Sequence, residues 1–197
     1  MFGESGNIEV REAHYERFLG ALDQPIFHST DLQPVHVDVY QFTPTKRRPF
    51  WTLITGGMSD RPQDFGFNKP YDIGPRAELV MYTKSPSPWM FNVLKGLAEY
   101  PHRSGQFIHW GHTLPNGKPM TAKPSALTSY LIRCPEFEAE DFRRFEIEDE
   151  AVDLLWVVPI TEEERQFAIK VGSVQLGWTL DENNVSHIID EQRKSVV

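Results

Sequence analysis

The stretch VDLLWVVPI, residues 152 to 160, is apolar along nearly its whole length and carries β-branched and aromatic side chains. Such a run fits a central strand of a sheet. It stops at Thr161-Glu162-Glu163-Glu164. In that capping-box form the threonine oxygen takes one orphan amide of a new helix, and Glu164 returns a bond to the threonine's own amide. The first-turn glutamates also suit the positive end of the helix dipole. A central strand running straight into a helix commits the chain to a sheet with helices packed on it.

The other segments fit that plan. ALTSYLIRC (126–134) is a second central strand, and RFEIED is a hairpin partner leading into 152–160. In VHVDVYQF (35–42), Val35, Val37 and Val39 alternate with His36, Asp38 and Tyr40, the period of a strand following Pro34 with one face buried. A proline-bounded turn, PTKRRP, joins it to FWTLIT (50–55), so the two pair as a hairpin, and RAELVMYT (76–83) adds another strand. Asn7 caps a first helix over about 7–22, with Tyr15, Phe18, Leu19 and Leu22 on one face. Trp89, Val93, Leu97 and Tyr100 mark a second, which Pro101 should end. A short helix over 174–180 and a structured piece at VSHIID complete the set, while LPNGKPM is a turn and 58–74 a long ordered loop. No repeat, low-complexity tract or linker divides the 197 residues, enough to bury roughly 70% of the unfolded surface. The expectation is a single α+β domain over 1–197, with a mixed, mostly antiparallel sheet and helices packed on it.

Composition narrows function by exclusion. No run approaches the ~18 apolar residues of a membrane span, and MFGESGNIEV lacks a signal-peptide pattern. A single cysteine, Cys134, forms no intrachain disulfide and reads as a buried inert thiol, so a cytoplasmic setting is expected. The net charge of −8 argues against nucleic acid as partner. EFEAEDFRRFEIEDE (136–150) holds eight acidic and two basic side chains, a local anionic surface suited to steering a cationic partner.

HVDVYQFTPTKRRPFWTLITGGMSDRP, residues 36 to 62, resembles the signature of the suppressor of fused domain family, in which an extended segment leads through a proline-containing turn into T-x-G-M-S-[DE]. The similarity continues through AELVMY, the Trp89 helix, LLWVVPITEEE and the terminal IIDEQRKSVV, covering the chain from about residue 26 to 197. The resemblance implies a mixed α/β domain that acts by binding protein. Animal members restrain zinc-finger transcription factors, and many stand-alone bacterial members look like immunity proteins that neutralise toxins. The length matches the bacterial type, without the C-terminal extension of animal members. The family supplies no catalytic set and no cofactor.

Several residues invite chemistry. In LITGGMSD, Ser59 and Asp60 suggest a nucleophile and its partner, but the spacing is not that of a G-x-S-x-G elbow. The favoured reading is a turn in which Gly56 and Gly57 supply backbone freedom, Ser59 and Asp60 fasten amides, and Asp38 receives the loop. His36 and Asp38 share a strand face, and His109 and His112 are spaced by three, yet a zinc site usually needs three or four ligands, so neither pair is assigned a metal. Trp89, Trp156 and Trp178 are expected in the core, with Trp110 exposed.

The leading expectation is a non-enzymatic protein-binding domain whose partner surface comprises His109, Trp110, His112, Glu138, Glu140, Asp141, Glu146, Glu148, Asp149 and Glu150. A cationic, toxin-like protein is the expected partner, with no nucleic acid and no membrane. Two other readings stand beside it. One is a hydrolase or metal enzyme using Ser59, Asp60 and Asp38 with His36, His109 or His112; the other is a homodimeric scaffold.

Overall fold

The computed structural model describes residues 3–28, 35–67, 72–121 and 124–197, with side chains from residue 6 onward. Along them run α1 (Gly3–Leu19), β1 (Asp38–Phe42), β2 (Trp51–Gly56), β3 (Arg76–Thr83), α2 (Pro88–Ser104), β4 (Thr113–Pro115), β5 (Leu127–Arg133), α3 (Glu140–Arg143), β6 (Arg144–Ile147), β7 (Glu150–Thr161), α4 (Glu162–Val171) and α5 (Ser173–Glu182). The strands form one mixed sheet in the order β1-β2-β3-β7-β5-β4. Only β3 and β7 are parallel, and β6 joins β7 as an antiparallel hairpin ahead of β5.

The apolar character of β7 from Leu154 to Ile160 follows from its central place. Val152, Leu154, Trp156, Val158 and Ile160 enter one core, shared with Tyr15 and Leu19 of α1, Ala168 of α4, and Leu176 and Leu180 of α5. Leu155 and Val157 enter a second core on the opposite face, closed by Met90, Phe91, Leu94, Leu97 and Ala98 of α2. Strand side chains alternate between faces, so a sheet covered on both sides needs apolar residues at consecutive positions. The same alternation divides Tyr40 and Phe42 from Val39 on β1, and Val80 and Tyr82 from Leu79 and Met81 on β3.

Element boundaries differ from the sequence reading in ways the contacts explain. Asn7 does not cap α1 but lies within it, and its side-chain amide donates to Glu148 at 3.3 Å. The helix stops at Leu19 rather than Leu22 because Gly20 takes a positive φ of 98° and its N–H closes on the Glu16 carbonyl. Pro101 lies inside α2 instead of ending it. The last turn is completed by Gly105, whose N–H bonds the Pro101 carbonyl, and His102 fixes it to the Met58 carbonyl at 3.0 Å. The strand expected over 35–42 begins at Asp38, although Val35 and Val37 are still buried, and Pro34 lies outside the described residues. Within the loop expected over 58–74, Met58–Asp60 form a 3-10 turn and residues 68–71 fall outside the description. The capping box is present: Thr161 accepts from the Glu164 amide at 3.2 Å, and Glu164 accepts from the Thr161 amide at 2.9 Å.

Candidate functional site

The turn after β2 is built around a carboxylate that the sequence reading passed over. Glu78, fully buried on β3, accepts from Thr55 Oγ1 at 2.5 Å, Gly57 N at 2.9 Å, Ser59 N at 3.0 Å and Ser59 Oγ at 2.6 Å. Arg11 of α1 reaches in from above, donating to Ser59 Oγ at 3.0 Å and Asp60 at 2.9 Å, with Glu78 3.6 Å away. Burial opposes the Arg11 charge, but Glu78, Tyr15 and Asp60 more than offset it, and the guanidinium pKa rises. Gly57 is required here: its φ is 114°, and a Cβ would lie 1.8 Å from the His36 carbonyl oxygen.

This geometry removes the nucleophile reading. Ser59 is sealed from solvent and its hydroxyl is committed to Glu78, while the histidine next to the turn, His102, bonds a backbone carbonyl. The Ser59 and Asp60 side chains bond side-chain partners, Glu78 and Arg11, rather than the backbone amides expected from the sequence. Asp38 does not receive the loop, whose amides go to Glu78; its carboxylate instead meets His28 and His36. Glu78 was visible in RAELVMYT as the one acidic residue of an apolar strand, and Arg11 as the residue four before Tyr15 on the same helix face.

The FIHWGHT segment is more buried than expected. His109, 4% exposed, points at Asp153 at 3.4 Å. Arg144 Nε at 2.5 Å and Gly74 N at 2.8 Å also serve that carboxylate. Burial alone would raise the Asp153 pKa, yet the bonds from His109, Arg144 and Gly74 prevail and lower it. His112 is half-buried against Phe107, and burial lowers its pKa. Trp110 is half-buried too; its indole N–H faces the Leu154 carbonyl at 3.4 Å, where β5 has left β7 and β6 has not begun.

The acidic segment is partly neutralised from within. Arg48 clamps Glu138 at 2.6 and 2.7 Å, Arg76 holds Glu148 and Glu150 at 2.7 Å each, and Arg17 approaches Asp141 at 3.4 Å. Glu140, Glu146 and Asp149 are exposed and have no ion pair among the described residues. Glu148 and Asp149 both take positive φ, 54° and 61°, forming the two-residue turn of the β6–β7 hairpin.

A surface the sequence reading missed lies beside Trp110. Trp178, expected in the core, is 58% exposed, and Val174, one turn earlier on α5, is 64% exposed. Ile169 and Val171 are exposed at the end of α4. A groove of about 250 Å³ runs between α5 and the end of β5, lined by Trp110, Arg133, Cys134, Glu136, Val174 and Trp178. Arg133 is fixed in its floor by Asp181 at 2.8 Å. Cys134 is half-buried, and burial raises its thiol pKa. The signal was present in SVQLGWTLDE: Val174/Trp178 and Leu176/Leu180 form two i, i+4 stripes on opposite sides, and only Leu176 and Leu180 face the core.

A mixed sheet covered on both faces, with an apolar surplus on the outer side of a helix pair, defines an α+β domain. The sequence pattern of the suppressor of fused protein (SUFU) family matches residues 33–194, and the chain belongs to that family. The fold is similar to the crystal structure of a SUFU homologue from Neisseria gonorrhoeae, with 22% identity, a TM-score of 0.76, and coverage of 99% of this chain and 98% of that one. It is also similar to a chain of the Sufu–Fu complex, at 16% identity and a TM-score of 0.70, over 96% of this chain and 92% of the other. Drosophila Suppressor of Fused matches at 15% identity and a TM-score of 0.69, and this chain spans about half of it, 51%, with 96% of its own length. No curated protein sequence matches the chain. Among the described residues no helix is long and apolar enough to cross a membrane.

Proposed function

We propose that this chain is a non-enzymatic binding protein that engages a protein partner through the α4–α5 surface and the Trp110 groove, with the neighbouring acids as a charged rim. The observation that carries the reading is the exposed Trp178 beside Val174: a large rigid aromatic next to a half-buried one has the character of an interface hot spot. A solved relative occurs in complex with Fu, which supports protein binding as the mode of action. Of the surface expected from sequence, Trp110, Glu140, Asp141, Glu146 and Asp149 remain available, whereas His109 and Glu138 are committed inside the fold.

The finer reading is an immunity-type role in the cytoplasm: occlusion of a cationic toxin, whose approach Glu140, Asp141, Glu146 and Asp149 would steer. Coexpression with the product of an adjacent gene tests it. Growth should be rescued by the wild type, and reversal of those four charges to lysine should slow association strongly at low salt. Association rates that ignore the reversal remove the acidic segment from the interface.

A further inference from the structure

At the opposite edge of the sheet from the groove, three ligating side chains converge that sequence separates. Phe27 and Val39 exchange both backbone hydrogen bonds at 3.0 Å, forming an antiparallel bridge. That bridge sets residue 28 across from residue 38, and 36 lies two positions before 38, on the same side of the chain. His28 Nδ1 and His36 Nε2 each lie 3.0 Å from one oxygen, Oδ1 of Asp38. All three ligand atoms fall within 4.8 Å of one another.

We infer that His28, His36 and Asp38 form a surface site for a divalent transition-metal ion of the zinc type, with a further coordination position open to solvent. Two imidazole nitrogens and one carboxylate oxygen suit zinc and its neighbours rather than magnesium or calcium, which take oxygen-rich shells. Ligand atoms around a tetrahedral ion with bonds of about 2.0–2.1 Å lie roughly 3.3 Å apart, close to the two nitrogen-to-oxygen separations found here. Both imidazoles are free to adjust, with side chains 63% and 60% exposed, while Asp38 is held at 15%.

The backbone beneath the cluster is fixed independently of any ion. Asp38 pairs with Gly56 in the β1–β2 ladder, and Gly57 packs so close to the His36 carbonyl that no larger residue fits. The Phe27 ring rests on Phe91 of α2 at 5.2 Å. A site whose strands are locked in place loses little freedom when the ligands close. The sequence pair His36 and Asp38 was two ligands short of a full zinc shell; the bridge at Phe27 supplies a third.

Titration of zinc chloride into the chelator-stripped full chain, followed by calorimetry and by metal analysis after dialysis, tests the assignment. The wild type should take up one zinc per chain. His28→Asn and His36→Gln, both at exposed positions, should each weaken binding at least about tenfold, since even outer-shell partners of a metal ligand are worth that much. Each should keep the wild-type melting temperature without metal. Absence of saturable zinc uptake by the wild type, or unchanged affinity in both variants, overturns the site and leaves a hydrogen bond from His28 and a close His36 contact on Asp38.

Discussion

With its carboxylate sealed from solvent, Glu78 takes four hydrogen bonds from Thr55, Gly57 and Ser59, and Arg11 supplies the opposing charge. Ser59→Ala therefore removes a donor from a buried carboxylate and an acceptor from a buried guanidinium. Urea unfolding should show a loss of about 1–3 kcal/mol with an unchanged slope. A change within ~0.5 kcal/mol, as at an ordinary surface position, contradicts the role given to the turn. Asp153 gives a pH signature. Its pKa is depressed in the fold, so its contribution is present above the unfolded value of about 3.9 and is lost as pH falls through the folded value. Unfolding free energy should drop below about pH 4, and Asp153→Asn should flatten that limb; a limb of equal steepness in the variant argues against it. Burial also lowers the pKa of His14, His102, His112 and His187. Their contribution is present above about pH 6.5 and drains on acidification below it.

At the scale of elements, the junction of β7 and α4 depends on Thr161, whose hydroxyl satisfies the Glu164 amide. Thr161→Ala should lower stability by roughly 1 kcal/mol, measured as a shift in the urea midpoint, and an unshifted midpoint would deny the cap its role. This junction was legible because strand pattern and capping box are local. The start of α1 and the end of α2 were not. Asn7 spends its side chain on Glu148, 141 positions away, and the helix through Pro101 is held by Gly105 and by His102 on Met58. Tertiary partners decided both, and local preference yields to them. The hairpin of RFEIED with the following strand was expected, but its turn falls at Glu148-Asp149, inside the segment read as strand, for a related reason: neither residue is the glycine that positive φ favours, and Arg76 anchors Glu148 where backbone preference does not.

Across the whole molecule, the sheet has apolar helices on both faces, which leaves the outer sides of those helices and the sheet edges for other work. The alternation of β7 between two cores was implicit in its apolar run from Leu154 to Ile160, and the family resemblance over the β1–β2 region carried the fold. The site was less legible. His109 looked like a surface residue until Asp153, Arg144 and Gly74 were brought around it, and Trp178 looked like core because its stripe on α5 is as apolar as the buried one. Which of two apolar stripes faces inward is decided by the packing of α5 on the sheet, not by α5 itself. The central claim, that the exposed stripe binds a protein, meets its most direct test in quantitative affinity purification from the native host with the wild type and Trp178→Ala side by side. One protein should copurify with the wild type and fall at least about tenfold with the variant, whose melting temperature stays within a degree or two of the wild type. Equal recovery of every copurifying protein by the two chains would contradict the claim.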